Sequence, residues 1–109
     1  MKTMTVLEAP FEMANLFPKH TGLPFVVWIS VRGGARHDVR VKVSANAKAI
    51  PEEMATVGVR PRVHVIEGEI APDDLKLLSA WIALNSATLI SYWDGEIDTA
   101  EAIANLVSL

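Results

Sequence analysis

Three histidines are the residues of widest chemical range in this chain: His20, His37 and His64. An imidazole acts as general base or metal ligand only with partners at suitable spacing. Metal binding would have to gather all three, with Asp38, through the fold, because none of them forms a short-range ligand pair. Ser30, His37 and Asp38 are close in sequence, but a triad needs geometry and no nucleophile-elbow pattern is present. Gly33-Gly34 matches neither phosphate-loop pattern. Glu52-Glu53 and Asp73-Asp74 each follow a proline and read as helix starts. No catalytic residue, cofactor or metal site is assigned, and the reading leans away from an enzyme.

What the spacing does support is the binding of negative charge. Asp38-Val39-Arg40-Val41-Lys42-Val43 alternates strictly, with the valines on one face and Arg40 and Lys42 on the other. Residues 57–66 alternate as well, setting Arg60, Arg62 and His64 against a valine row. If both valine rows face one core, Trp28, Arg40, Lys42, Arg60, Arg62 and His64 share the outer face, with Arg32 beside them. Arginines next to an aromatic suit phosphate contact and base stacking, and equally an acidic protein partner. Alternation alone also yields a polar outer face, so a solvated surface with Trp28 covered by the N-terminal segment is the plainer account.

Charge is divided along the chain. Residues 18–64 carry eight Lys or Arg against three acids, and residues 65–109 one Lys against eight acids, within a net charge of −3. Such asymmetry points to a basic contact surface or to two halves that attract each other. The pI near 5.5 argues against a dedicated nucleic-acid binder.

The elements that must position these residues follow from the same patterns. Residues 1–24 form an N-terminal segment, with Thr3–Leu7 open to an edge strand and Pro10 to a short helix carrying Phe11, Met13, Ala14 and Phe17. Residues 25–66 form the sheet: Phe25–Arg32, apolar on both faces, then a Gly33-Gly34 hairpin turn, Asp38–Val43, and Val57–Ile66. Pro61 puts that third strand at an edge or breaks it. Between the second and third strands lies a loop with one helical turn at Pro51-Glu52-Glu53. Residues 72–109 are helical, opening at Pro72-Asp73-Asp74, interrupted near Asn85-Ser86, closed at Gly95, and resumed by the capping-box spacing Asp98…Glu101. Trp81 and Trp93 fall on apolar helical rows and read as core. The expected fold is α+β: one domain, with a three-stranded, mainly antiparallel sheet packed on one face by two or three C-terminal helices.

Some of these pieces resemble a small bacterial family of unknown function. Its members join a turn-plus-strand motif reading roughly PPHFHV to a helical segment with two spaced tryptophans. The matching residues are Gly22-Leu23, Ala35-Arg36-His37-Asp38-Val39, Glu67-Gly68, Leu75, Trp81, Asn85, Leu89 and Trp93. His37 stands for the first motif histidine, whereas Val39 replaces the second. The resemblance implies a partnership with a second small protein, in the manner of a toxin–antitoxin pair.

The functional expectation is a non-enzymatic protein-interaction module, as half of such a pair or as a homo-oligomer joined through a sheet edge. The alternative is a nucleic-acid-binding or ribonuclease-like protein using the basic sheet face, with His37 or His64 as base. The N-terminus lacks a secretory apolar core, and the longest apolar run, Phe25–Ile29, is far too short to span a membrane. With no cysteine to form a disulfide, a cytoplasmic location is expected.

Overall fold

A computed structural model describes residues 13–48 and 50–109. The chain is α+β, and its sheet is antiparallel, as expected, but has five strands rather than three. They are β1 (Met13–Leu16), β2 (Val26–Ser30), β3 (Arg40–Ser44), β4 (Ala55–Gly58) and β5 (His64–Glu67). Spatial order follows chain order, so each strand pairs only with its sequence neighbours. Helix α1 (Pro18–Thr21) links β1 to β2, α2 (Pro72–Trp93) follows the sheet, and α3 (Thr99–Asn105) follows α2.

The segment 57–66 is broken around Pro61, one of the two outcomes its proline allowed: β4 ends at Gly58 and β5 begins at His64. Met13–Leu16, for which a short helix is one of the alternatives, pairs with β2 instead, Leu16 opposite Val27 and Ala14 opposite Ile29. The alternatives at Thr3–Leu7 and Pro10–Phe11 lie outside the described residues. Pro51–Glu53 forms a single 3-10 turn.

The hairpin about Gly33-Gly34 is also looser than a two-residue turn. β2 stops at Ser30 and β3 begins at Arg40. Beyond Ser30 the backbone leaves the ladder: the Arg32 amide donates to the Trp93 carbonyl at the end of α2, at 2.9 Å. This bond ties the β2–β3 connection to the helix.

Strand alternation decides the two faces of the sheet. Leu16, Val27, Val43 and Ala55 run across it in one row, and Val41 and Val57 in the next. All are buried against Leu78, Trp81, Ile82, Leu89 and Tyr92 of α2. Each buried valine or leucine among them contributes ~1.5–3 kcal/mol. The opposite face carries a smaller cluster of Val26, Trp28 and Met54, with Met13 against it.

α2 is one 22-residue helix, not two. Asn85, expected to interrupt it, is buried on the core side. Its amide nitrogen donates to the Trp81 carbonyl at 2.9 Å and the Val107 carbonyl at 3.0 Å, and its oxygen accepts from the Val107 amide at 2.8 Å. The polar side chain serves as a clamp on the tail after α3. That tail ends with the Leu109 amide donating to the Thr21 carbonyl at 2.7 Å. The capping box at Asp98 and Glu101 forms as its spacing requires, with both reciprocal bonds present. Among the described residues no helix is long and apolar enough to cross a membrane.

Candidate functional site

Cross-strand register shows how far the basic row assembles. Trp28 faces Lys42 across β2 and β3, and Arg40 faces Gly58, which in turn faces His64. Directly opposed residues share a sheet face. Trp28, Arg40 and Lys42 therefore stand together on the face turned away from α2, and they line one cavity of about 440 Å³.

The other three candidate residues lie apart from that cavity. Arg60 is held by Asp38 in a two-pronged pair, Nε to Oδ2 at 2.8 Å and Nη2 to Oδ1 at 2.9 Å. This contact, backed by the Val39 amide, pulls the Asp38 carboxyl down to about 2 and raises the Arg60 guanidinium. Arg62 is exposed between β4 and β5, outside the ladder. The His64 ring lies against Gly58, where an added Cβ would collide with it. Its Nδ1 donates to the Arg62 carbonyl at 2.8 Å. The outer face is therefore not one continuous basic track.

Trp28 is buried, with only 9% of its surface exposed. Its indole N–H donates to Ser44 Oγ at 2.8 Å, and Ser44 donates onward to the Asn46 carbonyl at 2.6 Å. The ring is fixed in place, so it is a wall rather than the exposed stacking platform considered from sequence.

Other residues complete the cavity. Arg32, expected on the outer row of the first strand, lies beyond the end of β2 and enters from the β2–β3 connection. Ser30, His37, Met13 and Trp93 also line it. The His37 ring lies 5.2 Å from that of Trp93, tilted by 32°, and its Nδ1 donates to the Asp38 carbonyl at 3.0 Å. Trp93 was read as core. It is nearly fully buried and also forms part of the wall, because the bond from Arg32 draws the connection against the end of α2. Nothing local in the sequence marks that approach.

The electrostatics of the cavity are one-sided. Arg32, Arg40 and Lys42 line it without a carboxylate among the described lining residues. The only ion pair among the described residues is Arg60 with Asp38. Arg40 Nε is buried and has no hydrogen-bond partner among them. Such an atom forfeits its hydration without recompense.

A second, shallower cavity of about 310 Å³ lies near the start of α2, with Glu53, Glu69 and Asp74 on its wall. No group of three His, Cys, Asp or Glu side chains among the described residues is placed to hold a metal ion.

A different surface escaped the sequence reading. From Leu77 to Trp93 α2 carries no charged residue in seventeen positions. Its core side takes Leu78, Trp81, Ile82, Asn85 and Leu89, while Leu77, Ala80, Ala83, Leu84 and Ala87 face outward and are exposed. Leu84 is 57% exposed. The signal was present: a surface helix normally places charge opposite its core stripe.

No protein-family model matches this chain, and neither the curated proteins nor the solved structures contain a match to it.

Proposed function

We propose that this chain is a non-enzymatic protein-interaction module, with the outer face of α2 as its docking surface. The observation that carries the reading is the charge-free run 77–93, which leaves Leu77 and Leu84 exposed on a helix apolar on both sides. A helix apolar all round is ordinarily covered on both sides. The exposed edge strand β5, with Val65 at 39% and Ile66 at 42% exposed, adds a second uncovered apolar element. The partner is a second small protein, as in a toxin–antitoxin-like pair, and the family resemblance supports looking for it in the adjacent reading frame.

The nucleic-acid and ribonuclease alternative draws less support. Arg60 is engaged by Asp38, His64 is folded onto Gly58, and Trp28 offers little free ring surface.

The test is Leu84→Glu. This side chain projects outward, so unfolding free energy should change by no more than about 0.5 kcal/mol. Capture of the adjacent frame's product, or self-association by light scattering if the partner is a second copy, should fall tenfold or more. Association unchanged by Leu84→Glu overturns the docking face.

A further inference from the structure

We propose that the cavity formed by Trp28, Arg32, Arg40, Lys42 and Trp93 is a binding site for a small organic anion with a flat apolar body. The inference is independent of the α2 docking face. Its first support is uncompensated charge. Arg40 and Lys42 lie two residues apart on one face of β3, and Arg32 joins them from the β2–β3 connection. Among the described residues none of the three forms an ion pair, and only Arg32 lies near enough to a carboxylate, Asp38, to act on it. Like charges gathered on one wall repel unless something of opposite sign sits between them.

The second support is Arg40 Nε, buried and without a partner in a side chain that lines the cavity. Guanidinium groups match planar oxyanions through paired donors, so a carboxylate or phosphate head satisfies this atom. The third is the make-up of the remaining wall. Met13, Val31 and Ala35 supply apolar surface beside the small part that Trp28 and Trp93 leave free, and Trp28 is held in place by its bond to Ser44.

Size selects the class. About 440 Å³ lies within the range of small-molecule sites, ~300–1,000 Å³. A bare inorganic anion would leave the apolar part of the wall uncovered. A polynucleotide needs a track of cations, and here the basic residues beyond the cavity are engaged elsewhere. An aryl or alkyl carboxylate or phosphate uses both halves of the wall.

The experiment titrates the full chain with phenyl phosphate and with phenylacetate, which separate the two head groups. Benzyl alcohol and inorganic phosphate serve as controls. Binding is followed by intrinsic tryptophan fluorescence and by amide chemical shifts. At least one aryl anion should bind saturably and move the Trp28, Arg40 and Lys42 resonances. Benzyl alcohol should not saturate, and inorganic phosphate should bind at least tenfold more weakly than the aryl anion. Arg40→Met and Lys42→Met, which keep the apolar stem, should each weaken binding tenfold or more. The shift map on the unmodified chain holds even if a variant fails to fold. The proposal is overturned if neither aryl anion saturates at millimolar concentration. Equal binding of the alcohol, a shift map elsewhere, or preference for an oligonucleotide or an acidic peptide over both aryl anions overturns it as well.

Discussion

Replacing Asn85 with alanine tests whether a polar residue inside the long helix holds the C-terminal tail. The side chain makes two bonds to Val107 at 2.8 and 3.0 Å, and a third to the Trp81 carbonyl. That third bond counts for little, since the Trp81 carbonyl is already within reach of the helical ladder. Each tail bond contributes ~0.5–1.5 kcal/mol net, so losing both costs about 1–3 kcal/mol. If the tail stays docked, two backbone groups of Val107 lose their partners at ~1–3 kcal/mol each, and release into water is the cheaper outcome. Release also forfeits the packing of Leu106 and the Leu109–Thr21 bond. Alanine's better helix propensity returns at most about 0.7 kcal/mol. The expected net loss is about 2–3 kcal/mol, read by urea denaturation, and a fall in Tm of about 8–15 °C for a chain of this size. Amide exchange at Val107 and Leu109 should rise toward the unprotected rate while the β2 and β3 amides stay protected. Asn85→Leu separates hydrogen bonding from volume, because it fills the site without bonding and should release the tail equally. Stability within about 0.5 kcal/mol of the parent, with Leu109 still protected, would refute the clamp; recovery by leucine would assign the effect to volume.

Two further outcomes follow from the outer sheet face. Gly58→Ala should displace the His64 ring and its bond to the Arg62 carbonyl, costing about 0.5–1.5 kcal/mol, and the cost should shrink in a His64→Ala background, measured as a double-mutant cycle. Asp38 should titrate near 2 by NMR. A folded-state value below the ordinary one means that its contribution to stability is complete above about pH 4 and is lost as pH falls toward 2; Arg60→Gln should move the carboxyl up toward its usual range, with the Val39 amide still holding it below.

The parts legible in the sequence are those fixed by local chemistry. The valine rows of β3 and β4, the Pro72-Asp73-Asp74 helix start and the Asp98 capping box need no knowledge of distant residues. Alternation likewise put Trp28, Arg40 and Lys42 on one face. Contacts that span the chain were not legible. β1 has no β-branched residue and exists because β2 offers an edge to pair with. Asn85 reads as a breaker until Val107, 22 residues on, meets its amide. Arg60 reads as a free cation until Asp38, 22 residues away, takes it.

The meander has a consequence for synthesis on the ribosome. Each strand pairs only with the one made just before it, so the sheet can assemble in the order in which it emerges. The helix that covers its valine rows is encoded entirely downstream of the last strand. At ~5–20 residues per second, the 26 residues from Glu67 to Trp93 delay that cover by about one to five seconds. For that interval the nascent sheet presents Val27, Val41, Val43 and Val57 to solvent without cover. Nascent-chain holdases should therefore engage this protein after β5 and let go once Trp93 has cleared the exit tunnel.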